Sequence, residues 1–318
     1  MDISVVVPLY NEEESLPELI AWIERVMAEN HYSFEVIMVD DGSNDTSWQV
    51  IESLAATRPF IHGLKFRRNY GKSAALHSAF QVTNGNVVIT MDADLQDSPD
   101  EIPELYRMIT QERFDLVSGW KRKRYDPLSK RLPSKLYNRT VRFFTGIKLH
   151  DFNCGLKAYR CEVTKSIEVY GEMHRYIPVI AKQAGFKRIG EKVVQHQERK
   201  YGVSKFGWER FIKGFLDLMT VLFVSKFGKK PMHFFGALGT LMFLAGGFIA
   251  MWLVGSKIYS IANHLKFREV TDQPLFYIAL VMALMGMQLF LAGFLGELVS
   301  RSSADRNTYL IEKDLQVK

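Results

Sequence analysis

The sequence predicts an α/β domain built on a largely parallel sheet, followed by a C-terminal two-helix transmembrane hairpin. Three observations carry this. Short β-branched runs alternate with helical stretches up to about Tyr201. The run Val87-Val-Ile-Thr-Met91 is continuously apolar, as a strand buried on both faces should be, and it leads straight into Asp92 and Asp94. Beyond Pro231 two long uncharged runs follow one another across a short polar segment.

Strands are predicted at Ile3–Pro8, Phe34–Val39, Ile61–Phe66, Val87–Met91 and Asp115–Ser118, with helices at Ser15–Ala28, Thr46–Ala56, Lys72–Val82 and Pro99–Thr110. That alternation gives βαβ units, whose parallel strands bring their carboxyl ends to one edge, where open α/β sheets bind ligands. Four polar clusters fall at that edge: Pro8-Leu-Tyr-Asn-Glu12, Val39-Asp-Asp-Gly-Ser43, Arg67-Arg-Asn-Tyr-Gly-Lys72 and Met91-Asp-Ala-Asp-Leu-Gln96. Asp40 or Asp41 is placed to accept hydrogen bonds from a base or ribose. Two carboxylates one residue apart suit a hard divalent cation with a diphosphate across it. Ser98 as N-cap, Pro99 and Glu101 three residues on predict a capping box, so Asp92, Asp94 and Gln96 sit on a tight, exposed connection. Neither G-x-G-x-x-G nor G-x-x-x-x-G-K-[ST] occurs, which removes support for dinucleotide and P-loop chemistry.

The charge is uneven as well. The 318 residues carry a net charge of +6, and the basic excess is concentrated between Gly119 and His150. There Lys121, Arg122, Lys123, Arg124, Lys130, Arg131, Lys135, Arg139, Arg142 and Lys148 face a single acid, Asp126. Leu128, Leu132, Leu136 and Phe143 interleave with them, predicting an amphipathic element on anionic headgroups. Nucleic acid is the competing partner for such a stretch, and two membrane spans argue against it. Phe211, Phe215, Leu218 or Met219, and Leu222 fall at helical spacing, predicting interfacial helices over 204–230. Spans of about 234–254 and 274–296 follow within a 231–300 hairpin; 21 residues of helix reach roughly 31 Å, the thickness of a hydrocarbon core. Two buried core helices are the alternative, and their length and adjacency argue against it.

Lys226, Lys229 and Lys230 precede the first span, and Arg301 and Arg306 follow the second, in a tail over 301–318. Lys257, Lys266 and Arg268 in the connecting loop share it with Glu269 and Asp272. Counting basic residues alone places both termini, and a catalytic domain over 1–203, on the cytoplasmic side. No stretch near Met1 reads as a secretory signal. Cys154 and Cys161 lack zinc spacing with any His and suit a reducing compartment. Gly236, Gly239, Gly246 and Gly247 form a small-residue face suited to self-association as a homo-oligomer.

Ser4-Val-Val-Val-Pro-Leu-Tyr-Asn-Glu12, Val39-Asp-Asp-Gly-Ser43, Asn69-Tyr-Gly-Lys72 and Met91-Asp-Ala-Asp-Leu-Gln96 resemble the family 2 glycosyltransferases with a GT-A (Rossmann-like) fold. With the hairpin, the whole chain resembles the polyprenyl-phosphate glycosyltransferases. The resemblance implies that Pro8, Tyr10, Glu12, Asp40, Asp41 and Lys72 hold the nucleotide. It implies that Asp92, Asp94 and Gln96 hold Mg²⁺ or Mn²⁺ and the diphosphate. Lys121 or Arg122, with Arg131 and Ser134, would clamp the lipid phosphate. Arg199-x-x-Gly-x-Ser-Lys205 matches a family element expected to close over the diphosphate, through Arg199, Ser204 and Lys205. Asp151, in His150-Asp-Phe-Asn-Cys-Gly-Leu-Lys157, resembles the third acidic position and is expected to orient substrate; a helix N-cap is its other reading. Gln195-His-Gln-Glu-Arg-Lys200 lacks the Q-x-x-R-W of processive relatives, implying single-sugar transfer.

The implied reaction is inverting, metal-dependent transfer of one hexose to undecaprenyl phosphate. UDP-glucose is the expected donor, and GDP-mannose, UDP-N-acetylglucosamine or a modified arabinose the alternatives. A non-catalytic membrane anchor on a transferase fold is a reading of another class; the intact D-x-D-x-Q and R-x-x-G-x-S-K argue against it.

Overall fold

Val5, Val6 and Val7 are all fully buried, because the strand that carries them is covered on both faces. Alternate side chains feed two separate cores. Val5 and Val7 join Val36, Met38 and Ile89 in one cluster, while Val6 joins Ile37, Val39 and Val88 in the other. This computed structural model describes residues 1–122, 138–197, 200, 219–220, 223, 227 and 230–302. The chain divides into two units, Met1–Leu222 and Phe223–Lys318.

The first unit holds a sheet of seven strands: β1 (Ile3–Leu9), β2 (Phe34–Asp40), β3 (Ile61–Lys65), β4 (Val87–Thr90), β5 (Leu116–Trp120), β6 (Lys157–Arg160) and β7 (Ile189–Val193). Their order is β3-β2-β1-β4-β6-β5-β7. All neighbours are parallel except β6, which runs antiparallel to β4 and β5. Helices α1 (Leu16–Glu29), α2 (Ser47–Thr57), α3 (Lys72–Val82), α4 (Ile102–Thr110), α5 (Cys161–Ser166) and α6 (Ile177–Gln183) cover it. The five predicted strands and four predicted helices are present. Sequence reading missed β6 and β7. Lys-Ala-Tyr-Arg is four residues bounded by two cations, and Ile-Gly-Glu-Lys-Val lacks the alternation that marks a strand.

Ser98 does start a helical segment, its Oγ accepting from the Asp100 N–H, with a 3₁₀ turn over Pro99–Glu101 ahead of α4. The capping box does not form. Buried Glu101 turns away from the cap instead, accepting the Gln195 N–H at 2.9 Å and pairing with Lys192. A tertiary anchor to the chain beyond β7 has replaced the local bond.

In the second unit, α7 (Pro231–Ala262) and α8 (Pro274–Ser302) form the predicted hairpin. Both are long and apolar enough to cross a membrane, and 17% of each span is buried, where core helices of a soluble protein would be mostly buried. A Cβ on Gly239 would come within 2.6 Å of the Gly286 carbonyl oxygen and the Phe290 nitrogen; one on Gly246 would meet the Ala279 carbonyl oxygen at 2.5 Å. The glycine face proposed for self-association is thus spent inside the hairpin at Gly239 and Gly246, where it lets two backbones touch. Gly247 faces open space.

Candidate active site

Parallel pairing carries the ends of β1, β2, β3 and β4 to one edge, and their loops are bound together there. The Asn11 N–H donates to Ser43 Oγ at 2.9 Å, and Asn11 Oδ1 accepts from the Asn44 N–H at 2.9 Å. Asn11 takes a left-handed φ of 57°, a conformation that Asn tolerates. Tyr10 OH accepts from Asn44 Nδ2 at 3.3 Å, the Glu12 N–H donates to Ser47 Oγ at 3.0 Å, and half-buried Pro8 lies in register with Val39.

Asp40 and Asp41 part company in this frame. Asp41 is fully committed, accepting the Tyr70 N–H at 2.7 Å and the Gly71 N–H at 2.9 Å. Burial raises its pKa, against the pull of those two bonds. It braces the Arg67–Lys72 loop. Gly42 (φ 74°) seals the same contact, since a Cβ there would lie 2.6 Å from the Arg68 backbone. Asp40 is fully buried and spends Oδ1 on the Ser43 N–H at 2.8 Å, leaving Oδ2 without a hydrogen-bond partner among the described residues. A buried carboxylate oxygen in that state is an acceptor awaiting a donor.

Beyond β4 exposure alternates: Asp92, Asp94 and Gln96 are half-exposed while Ala93, Leu95 and Asp97 are buried. Ala93 and Leu95 pack into the core with Met91, so the three oxygen-bearing side chains emerge on one side. This is why the D-x-D-x-Q spacing matters. Leu95 holds a left-handed φ of 58°, uncommon for a branched side chain and typical of backbone constrained at a site. Gly155 lies against Asp92, where a Cβ would meet Oδ2 at 2.4 Å. Lys72 forms an ion pair with Asp92. Burial alone would raise the Asp92 pKa, but Lys72, Lys121 and Lys157 together hold the carboxyl well below the usual carboxylate range.

The carboxylates of Asp92 and Asp94 and the amide of Gln96 are hard oxygen donors, and this set fits a divalent cation completed by a ligand's own phosphates. Among the described residues no group of three or more His, Cys, Asp or Glu side chains converges. Lys121 is not a free interfacial cation. It is nearly buried and pairs at 2.7 Å with fully buried Asp97, fixing the back of the acidic loop; exposed Arg122 is left as the candidate phosphate ligand. Asp151 is 1% exposed and caps no helix, because its Oδ1 accepts the Asn153 N–H at 3.0 Å in a local turn. The segment leading towards Arg199 starts beside the acidic loop: the Gln197 N–H donates to the Gln96 carbonyl at 2.9 Å, and His196 bridges to Asp97. Arg131, Ser134, Arg199, Ser204 and Lys205, with most of 204–230, lie outside the described residues.

Sequence reasoning missed a group beside Asp92. Buried Lys157 donates to the Cys154 carbonyl, and Ser73 Oγ lies 3.2 Å from His174 Nδ1 while accepting the His174 N–H at 3.0 Å. Burial, then Lys72 and Arg175, push the His174 pKa well down, so the ring is neutral. Lys157 could have been noticed, six residues past Asp151 in the segment quoted for it. His174 and Arg175 carried no sequence signal, because their turn reaches this group only by packing on Ser73 of α3, 101 residues away in the chain.

The sequence model of Glycosyl transferase family 2 matches residues 4–168. The dodecaprenyl-phosphate galacturonate synthase of Rhizobium johnstonii is 34% identical over 311 residues, covering 95% of this chain and 88% of the relative. The undecaprenyl-phosphate 4-deoxy-4-formamido-L-arabinose transferase of Pseudomonas syringae is 34% identical over 316 residues, 98% of this chain and 90% of the relative. Among solved structures, the glucosyl-3-phosphoglycerate synthase of Mycobacterium tuberculosis, in complex with Mn²⁺, UDP-glucose and glycerol 3-phosphate, superposes with a TM-score of 0.52 at 20% identity. It covers 70% of this chain and 79% of that one, a likeness of fold.

Proposed function

This chain belongs to glycosyl transferase family 2, and we propose that it transfers one sugar from a nucleotide sugar to the phosphate of a membrane polyprenyl phosphate. One observation carries the acceptor: similarity to relatives named for polyprenyl phosphates spans nearly the whole chain, and so runs through both apolar helices. Phe143 and Phe144, 82% and 56% exposed beside Arg142, support a lipid surface next to the site.

In this reading the buried Asp40 Oδ2 accepts a hydrogen bond from the base or ribose, and Pro8, Tyr10 and Glu12 line the same crevice. Lys72 is shared between Asp92 and the donor's diphosphate. Asp92, Asp94 and Gln96 would hold Mg²⁺ or Mn²⁺, which supplies Lewis-acid neutralisation of the departing nucleoside diphosphate. Arg122, with Arg131 and Ser134, orients the acceptor phosphate; Arg199, Ser204 and Lys205 offset charge on the leaving group. An acceptor oxygen forms a bond to the anomeric carbon as the bond to the diphosphate oxygen breaks with its electron pair, inverting the anomeric centre. A phosphate monoester has a second pKa near 6 and is largely an anion at neutral pH, so no strong general base is required. Asp151, buried and already holding its own turn, accordingly serves orientation.

The sugar expected from the sequence, glucose, gains nothing from the relatives, which are named for galacturonate and for a formamido-arabinose. UDP-linked galacturonate and formamido-arabinose therefore join UDP-glucose as the first donors to try. Cytoplasmic placement of the domain and both termini follows the charge asymmetry of the loops. In the direct test, Asp94→Ala lowers turnover by at least about 10²-fold, the scale for losing one preorganised charge-stabilising group, while membrane association is retained. Wild-type turnover by that variant would remove the acidic loop from the mechanism.

A further inference from the structure

Next to Asp92 the structure has a narrow pocket whose wall includes Lys72, Asn153, Lys157, His174 and Arg175, and no carboxylate among the described residues lines it. Lys157 is 3% exposed. Its ammonium donates to the Cys154 carbonyl and makes no ion pair among the described residues. Among the described residues Arg175 pairs only with Glu172, at 3.4 Å, and that carboxylate is 41% exposed. Burial disfavours the ammonium form of Lys157, and Cys154, Asp151 and Asp92 act against this from farther away. Ser73 Oγ accepts the His174 N–H at 3.0 Å and lies 3.2 Å from Nδ1 of the neutral ring.

Burying an ammonium without a contacting counter-charge is costly, and an anion bound beside it would relieve that cost. The position fits a substrate. The nucleoside loops stand at β1, β2 and β3 and the acidic loop follows β4, while Lys157 opens β6, the next strand along the sheet. The pocket therefore lies one strand beyond the acidic loop to which the proposed function assigns the diphosphate.

We infer that this pocket is an anion subsite in which Lys157 and Arg175, aided by Lys72, bind a carboxylate or phosphate group carried by a substrate. The inference rests on the proposed transfer only for the identity of that substrate. An acidic donor sugar supplies the group as a carboxylate, and the polyprenyl acceptor supplies it as a phosphate.

The test uses the full chain in detergent. Binding of inorganic phosphate, measured calorimetrically, should weaken about tenfold or more in Lys157→Met, the order expected for losing one charged contact. Because the variant removes an unpaired buried charge, its thermal midpoint should hold or rise. Arg175→Gln, on the same pocket, should repeat the loss of binding from a second residue. Steady-state transfer then separates the sources. A raised KM for UDP-hexuronate, with the matched neutral UDP-hexose unchanged, identifies the donor carboxylate; a raised KM for polyprenyl phosphate alone identifies the acceptor. If wild type transfers no sugar, the proposed function fails while the phosphate measurement still decides the subsite. Phosphate affinity unchanged in both variants would overturn the inference.

Discussion

Gly155 leaves Asp92 where it is because it has no side chain: a methyl group would overlap Oδ2 at 2.4 Å. Thr90 Oγ1 donates to the Gly155 carbonyl at 2.9 Å, so this backbone is fixed and the carboxylate would have to move. Gly155→Ala should lower turnover by about 10²-fold, the cost of misplacing a reacting constellation by about 1 Å, without changing the circular dichroism of the domain. Near wild-type turnover would show that the Asp92 position is not critical. At this scale the sequence was informative where chemistry and spacing coincide. The D-x-D-x-Q run needed only the alternation of a chain leaving a buried strand to bring its oxygens together. Asp40 and Asp41 could not be separated by reading, because which one ties down the next loop depends on backbone N–H groups 29 and 30 residues away.

Periodicity located the elements and left their partners unstated. The β-branched runs gave β1 to β5, but β6 is short and reverses direction, so the antiparallel return that brings Lys157 beside Asp92 had no sequence signature. The helix beginning at Ser98 was legible in kind and misread in detail, since Glu101 found better partners in Lys192 and Gln195 than in its own cap. The hairpin was legible from length and charge; the use of its glycines was not. Gly286 meets Phe243 and Gly239 backbone atoms at 2.5 and 2.6 Å for an added Cβ. Gly286→Leu should therefore splay α7 and α8, reducing the yield of folded protein extracted in mild detergent by several-fold. Normal yield together with unchanged cross-linking between α7 and α8 would contradict this packing.

For the whole molecule, stability and activity are set at opposite edges of the sheet. Glu35 is 2% exposed near the start of β2, accepting from Ser4 Oγ at 2.5 Å and from the Asn84 N–H at 2.7 Å. Burial would raise its pKa, but these bonds, with His62 nearby, bring it below 4.5. A carboxyl lowered in the folded state adds stability that is fully present above its unfolded value, and that is lost as pH falls through the folded value. The thermal midpoint should therefore fall below about pH 4.5 in wild type, with a shallower slope in Glu35→Gln. Parallel curves would assign acid sensitivity to other groups. Active-site carboxyls change that profile less cleanly, because Asp92 is tied to Lys72.

The central claim is the reaction, and one measurement tests it most directly. Membranes containing the chain are given radiolabelled UDP- and GDP-sugars with undecaprenyl phosphate, with and without Mg²⁺ or Mn²⁺. The account predicts a lipid-soluble product bearing one sugar, formed from a single donor and only with the metal present. No lipid product from any donor, in membranes proven active, would contradict it.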